Sequence, residues 1–222
     1  MEAATELAGW EDGSLYLNGL TSLSVNVAES LAKWKGGQLS LDGLKHLSVD
    51  VFEALSKWKG TGDYPTIQLN GLTSLSVKGA EALAKWEGGD LFLDGLQHLT
   101  VEIAESFSTW TGGGLYLNGL TTLSVDASKA LANCENGSLY LDGLQDLTVD
   151  VAEALARWKG KHFSLNGVQQ LPVEVATALA KWEGYSLSLD GVTNAPSDVR
   201  DTFSVWKGQS LSLGGEKIRS VQ

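Results

Sequence analysis

Aligned on its own L-x-L motifs, the chain repeats every 24 residues, and a fixed period in this range restricts the fold more than any local pattern does. Full units start at Leu15 (LYLNGLTSLSVNVAESLAKWKGGQ), Leu39, Ile67, Leu91, Leu115, Leu139, Phe163 and Leu187, with partial units over 1–14 and 211–222. A unit this short cannot bury an apolar side alone. The units must therefore stack on one another, and residues 1–222 read as a single solenoid domain with a continuous core.

Within a unit, Leu15 and Leu17 alternate around Tyr16, the period-two pattern of a short strand with one buried face. Asn18, Asp42, Asn70, Asp94, Asn118, Asp142, Asn166 and Asp190 follow the strands, each trailed by a glycine, a pair suited to turns with positive φ. Ser24, Ser48, Ser76, Thr100, Ser124 and Thr148 then mark helix starts, with Pro172 and Pro196 taking over in the last units. Leu23, Val27, Ala28, Leu31 and Trp34 fall at spacings of three and four, an inward helical stripe. Glu29 with Lys33, Glu53 with Lys57, Glu81 with Lys85 and Glu153 with Arg157 are spaced to pair at i, i+4 on the solvated side. Gly36, Gly60, Gly88, Gly112, Gly160, Gly184 and Gly208 read as left-handed helix stops, with Asn136 as their substitute in the fifth unit. Parallel strands need about 4.8 Å per layer and packed helices about 8–10 Å, so the strands belong on the inside of an arc. The expected class is an α/β solenoid with strands on the concave side and one helix per repeat outside.

With 43% apolar and 19% charged residues the chain suits a soluble fold with a sizeable core. Sixteen basic residues against 27 acidic ones, a formal net charge of -11, argue against nucleic acid and anionic membrane as partners. No apolar run reaches the roughly 20 residues of a membrane span, and MEAATELAGW lacks the regions of a signal peptide; the compartment stays open. A single cysteine excludes an intramolecular disulfide and any site needing two thiolates from one chain.

The unit L-x-L-x-G-L-x-x-L followed by A-x-x-L-x-x-W-x-G resembles an irregular bacterial leucine-rich repeat, and is similar to the subclass that reads I-x-I-P-x-x-V-x-x-I-x-x-x-A-F-x-x-C. Leu39, Leu41, Leu44 and Leu47 match its first four apolar positions, Ala54 and Leu55 its Ala-Phe pair, and Trp58 its cysteine. The resemblance runs from about residue 7 to 213. It departs from the subclass in having Asp or Asn for Pro, and Trp for Cys. It implies a binding or scaffolding solenoid without naming a partner.

The middle residue of each L-x-L points to the concave surface: Tyr16, Ser40, Gln68, Phe92, Tyr116, Tyr140, Ser164, Ser188 and Ser212. Phe92, Tyr116 and Tyr140 occupy consecutive units and form a candidate recognition strip, since aromatic rings give rigid contact area at low entropic cost. The competing explanation is that neighbouring rings stabilise the sheet by packing on one another. Between Gly60 and Ile67 the chain inserts TGDYPT, six residues where most units have two, so Asp63 and Tyr64 are expected on a loop at one rim that either joins the binding surface or is a neutral insertion.

The ladder Asp42, Asp94, Asp142 and Asp190 and the pair His46 and His98 recur every second unit, about 10 Å apart, too far for a glycosidase pair or one metal ion; His162 sits at another phase. The alternation points to an ancestral double unit of about 48 residues. No hydrolase, zincin, phosphate-loop or kinase signature occurs, and no catalytic residue, metal or cofactor is assigned. The function expected is a non-enzymatic scaffold for a protein or peptide, bound through Tyr16, Phe92, Tyr116, Tyr140, Asp63 and Tyr64. The alternative is a structural module that self-associates or joins flanking domains through uncapped ends, because the chain begins inside a repeat near Leu7 and Trp10 and stops just after the strand at 211–213. Cys134 stands where Trp10, Trp34, Trp58, Trp86, Trp110, Trp158, Trp182 and Trp206 stand, at a helix end beside Glu135. It reads as a buried packing position in a looser unit, slow to react with thiol reagents.

Overall fold

The computed structural model describes residues 13–134 and 137–218. Leu7, Trp10, Glu135 and Asn136 lie outside the described residues. Strands β1 (Ser14–Tyr16), β2 (Gln38–Ser40), β3 (Thr66–Gln68), β4 (Asp90–Phe92), β5 (Gly114–Tyr116), β6 (Ser138–Tyr140), β7 (His162–Ser164), β8 (Ser186–Leu189), β9 (Ser210–Leu213) and β10 (Glu216–Ile218) form one open sheet in chain order. Between them lie α1 (Val25–Leu31), α2 (Val49–Leu55), α3 (Val77–Leu83), α4 (Val101–Phe107), α5 (Val125–Leu131), α6 (Val149–Leu155), α7 (Val173–Leu179) and α8 (Ser197–Thr202), the last continued by a 3-10 turn at Phe203–Val205. The molecule is an α/β repeat solenoid, as the periodicity requires.

The register follows the sequence alignment. Leu15 lies opposite Leu39, Leu39 opposite Ile67, and so on through Leu91, Leu115, Leu139, Phe163, Leu187 and Leu211, all parallel. This ladder is buried with Ala28, Leu31 and their counterparts on each helix, giving one continuous core. Ser24, Ser76, Thr100, Ser124 and Thr148 cap their helices by accepting from the amide three residues on, whereas Ser48 makes no such bond and Pro172 and Pro196 hold the cap position with φ of -59°.

The tryptophans form a second column at the helix ends. Trp34, Trp58 and Trp86 stack at 5.7 and 5.9 Å, and Trp158, Trp182 and Trp206 at 5.8 and 6.0 Å. The indole N–H of Trp58, Trp86, Trp182 and Trp206 donates to the carbonyl of the tryptophan one unit earlier, at 2.6–2.8 Å. On the opposite side of the sheet the Phe92, Tyr116 and Tyr140 rings are only 3.8 and 4.0 Å apart. Rings placed alike in successive units report the layer spacing at their own depth, so the layers converge toward the outer strand face, the fan expected of an arc with strands inside.

Four expectations need correction. The helices end at Leu31 and its equivalents, where the next residue is still right-handed (Ala32, φ -63°), and of the glycines read as left-handed stops only Gly60 has positive φ, at 62°. The others are glycine because the indole two residues earlier folds back over them: a Cβ on Gly36 or Gly184 would overlap the ring of Trp34 or Trp182. The glycines after the strands do not need positive φ either; a Cβ on Gly43 would run into the Asn18 and Leu20 carbonyls of the preceding unit.

The i, i+4 ion pairs do not form among the described residues, because Lys33, Lys57, Lys85 and Arg157 fall past the helix ends. Instead Lys181 reaches Glu153 and Lys207 reaches Glu183 across units, each at 2.9 Å, while Lys129 pairs with Asp126 at i, i+3. Finally, the chain continues past Leu213: Gly214 and Gly215, with φ of 62° and 78°, turn it back so that β10 covers β9 in antiparallel register, and Arg200 holds Glu216 at 2.7 Å.

The insertion at 61–66 forms the expected rim loop ahead of β3. Its ends are stitched to neighbouring units by Thr61 N–H to the Gly36 carbonyl, Thr66 N–H to Gly37, and the Pro65 carbonyl accepting from both Gly89 and Asp90. Among the described residues no helix is long and apolar enough to cross a membrane.

Candidate functional site

The outer strand face is built on a ladder of Asn and Asp side chains. Each Oδ1 accepts the backbone N–H of the next unit's Asn or Asp: Asn18 from Asp42 (3.0 Å), Asp42 from Asn70 (2.8 Å), Asn70 from Asp94 (3.1 Å), Asp94 from Asn118 (2.8 Å), Asn118 from Asp142 (2.9 Å), Asp142 from Asn166 (2.8 Å) and Asn166 from Asp190 (2.8 Å). Asp190 ends the run on Gly215 N–H at 3.1 Å. The side chains read as local turn formers therefore tie repeat to repeat. Each also satisfies a backbone donor just past the strand end.

Two serines expected on the concave surface are buried by this ladder. Ser40 is 0% exposed and donates to Asn18 Oδ1 at 2.7 Å; Ser164 is 5% exposed and donates to Asp142 Oδ1 at 2.6 Å. Ser188 donates to Asn166 at 2.7 Å and Ser212 to Asp190. Their hydroxyls face the neighbouring strand. The same alternation that aims a side chain outward brings a short one beside the ladder carboxylates.

Above this polar floor stands the aromatic strip. Phe92 and Tyr116 stack at 3.8 Å with an 11° angle, and Tyr116 and Tyr140 at 4.0 Å with 4°. All three are half-buried. Gly114 permits the stack, because a Cβ there would lie 2.8 Å from Tyr116 Cε2 and 3.3 Å from Tyr140 Cε2. Burial, the adjacent Tyr140 hydroxyl and the charges of Asp90 and Asp94 all push the Tyr116 phenol upward, so it stays protonated.

Not every candidate joins this strip. Tyr16 is 59% exposed but sits on β1, separated from Phe92 by Ser40 and Gln68, with its hydroxyl on Gln38 Oε1 at 3.1 Å. Asp63 and Tyr64 are exposed at the rim, on a loop whose Pro65 carbonyl holds the start of β4, two residues before Phe92. His46 and His98 are exposed and apart from the strip, and His162 meets Tyr185 edge-on at 5.6 Å. Among the described residues no group of three His, Cys, Asp or Glu is placed to hold a metal.

One feature of the face escapes a reading of the L-x-L middle positions alone. The residues flanking each middle position by two also point outward, and together these positions carry Asp42, Asp90, Asp94, Asp142 and Asp190 but no Lys or Arg among the described residues. Asp90 opens β4, where its Oδ1 accepts Gly114 N–H at 2.6 Å. Stepping by two from Phe92 in the sequence finds it.

Cys134 is buried, with its thiol 2.8 Å from the Phe107 carbonyl, and burial pushes the thiol up to about 12. At neutral pH almost no thiolate forms, in keeping with slow labelling. A void of about 10 Å³ lies between Trp110, Cys134 and Trp158, and the Trp110 indole N–H is buried without a partner. No protein-family model matches the chain, and no curated protein matches it.

Proposed function

We propose that the protein is a non-enzymatic leucine-rich-repeat scaffold, of the irregular bacterial type with 24-residue units, that binds a protein or peptide through its outer strand face. The observation that carries this is the Phe92, Tyr116 and Tyr140 stack, three aromatic rings held side by side on a surface otherwise made mainly of polar residues and aspartates. Rigid aromatics in such a setting supply contact area with little entropy to lose. The loop with Asp63 and Tyr64, anchored to the same strand as Phe92, extends the surface at one rim. The ladder aspartates are engaged by backbone amides, a structural role that supports the non-enzymatic reading. Assembly through the solenoid ends is disfavoured at the C-terminal edge by the exposed Glu216 and Lys217 of β10, since charges on an edge strand oppose pairing with another sheet.

A peptide-display selection against the intact chain tests the proposal. Enrichment is expected on the native protein and is expected to vanish on the triple variant Phe92→Ser, Tyr116→Ser, Tyr140→Ser, provided circular dichroism shows that the variant is folded. Equal enrichment on both proteins would place the binding surface elsewhere.

A further inference from the structure

We infer that the occupant of the strand face is an extended peptide bearing arginine, with a guanidinium stacked on the open side of the Tyr140 ring and paired with Asp142; this rests on the strand face being the binding surface.

Ring geometry selects the place. In the stack Tyr116 uses both faces, while Phe92 and Tyr140 each use one. Beyond Phe92 the next strand position is Gln68, whose side chain is long enough to lie across a ring. Beyond Tyr140 the middle positions are Ser164, Ser188 and Ser212, side chains too short to cover a ring, with hydroxyls already committed to Asp142, Asn166 and Asp190; the one larger outward side chain on β7, His162, is turned edge-on to Tyr185. The aromatic ladder thus ends in a step, with an unstacked tyrosine face above a floor of serine.

Charge selects the chemistry. Five aspartates sit at the outward positions of β1 to β9 and the turns after them, where no Lys or Arg is found among the described residues; the one base on this face, Lys217, lies on β10 opposite Ser212. Asp142 follows Tyr140 by two residues and so shares its side of the sheet, and it takes its bonds from Ser164 Oγ and Asn166 N–H through the same oxygen, Oδ1. A neutral ligand laid here would desolvate carboxylates without compensation. An ammonium would supply charge but no plane; a guanidinium stacks on an aromatic face and pairs with a carboxylate at once. Asp190 lies two strands on, about 10 Å away at strand spacing, which matches the roughly 9 Å between residues i and i+3 of an extended polyproline-type chain. Two arginines three residues apart would therefore meet Asp142 and Asp190 in turn.

The test uses the intact chain and a fluorescein-labelled Ser-Arg-Ser-Ser-Arg-Ser peptide, followed by anisotropy at low and at physiological salt, with the Lys-for-Arg peptide alongside. The arginine peptide is expected to bind about tenfold tighter than the lysine peptide, and Asp142→Asn and Tyr140→Ser are each expected to lose about tenfold. Asp142→Asn keeps the ladder acceptor, as Asn118 and Asn166 do, so an unchanged thermal melt separates lost binding from lost fold. Equal affinity for both peptides, steeply salt-dependent and indifferent to Asp142→Asn, would mean diffuse attraction and overturn the inference. Display enrichment of uncharged or acidic peptides that still needs the three aromatics would overturn the arginine assignment and leave the strand face standing. Enrichment indifferent to the aromatics would remove the surface itself.

Discussion

At the scale of single residues, the strict exchange of Asn and Asp down the ladder has an electrostatic reason. Either side chain offers an oxygen to the next unit's amide, so hydrogen bonding alone does not choose between them. Two carboxylates on adjacent strands, about 4.8 Å apart, repel by about 1–3 kcal/mol at effective dielectric constants between those of water and a protein surface. Every second position, at about 10 Å, is near one Debye length in physiological salt, and the repulsion is largely screened. Asn118→Asp would set three carboxylates in a row with Asp94 and Asp142. Crowding raises the folded-state pKa of such a cluster above its unfolded value near 3.9, so the penalty is absent below that value and grows as pH rises through the folded one. Urea unfolding is expected to show Asn118→Asp destabilised by about 1–3 kcal/mol at pH 7 and close to the parent at pH 3.5. An equal loss at both pH values would mean that shape, not charge, sets the alternation.

At the scale of elements, the seven-residue helices have two turns each, too short to persist outside the stack, and their ends carry a large share of their backbone hydrogen bonding. Ser76 accepts from Gly79 N–H at 3.1 Å, while Ser48, in the same register, makes no cap bond. Ser76→Ala should therefore lower stability by about 1 kcal/mol in equilibrium unfolding and Ser48→Ala by much less. Matching losses would show that the hydroxyl acts otherwise than as a cap.

The same elements show what the sequence made legible. Strand positions, their register and the aromatic strip follow from period-two alternation and the 24-residue repeat, which are local and redundant. Helix length is not legible from the Glu-to-Lys spacing, because that spacing continues in the chain two residues past the point where Leu31 ends the helix. The actual partners, such as Lys181 and Glu153, belong to different units, and lateral distances between units are not written in any one unit. The glycine two residues after a tryptophan is plain in the sequence, but its reason is not, since at all of these sites except Gly60 it depends on an indole folding back over it. Asp90 is hidden from a reading of one outward residue per strand, since alternation turns three residues per strand outward.

At the scale of the whole molecule, a solenoid is about as strong as its weakest junction, because each unit touches only its neighbours. Stacking and indole hydrogen bonds join Trp34 to Trp86 and Trp158 to Trp206, but between those runs the column lacks its ring at Cys134 and leaves the Trp110 N–H without an acceptor. Amide exchange is therefore expected to be fastest, within the core, around α4 and α5. The sequence couples two changes at this place: seven of the eight tryptophans are followed two residues later by Gly, Trp10 with Asp12 being the exception, and the single Cys134 is followed by Asn136. At six of these glycines, all but Gly60, a Cβ would fall within the indole, so the ring is what calls for glycine there. By sequence register Asn136 holds the place of the glycine, so restoring the ring alone, by Cys134→Trp, should be destabilising. Adding Asn136→Gly should recover about 1–3 kcal/mol relative to that single variant, the usual scale of relieved overpacking, and should slow exchange around α4 and α5. Denaturant unfolding of the single and double variants decides the matter. If Cys134→Trp alone is as stable as the pair, the tryptophan and its glycine are independent, and the junction is weak for a reason other than the missing ring.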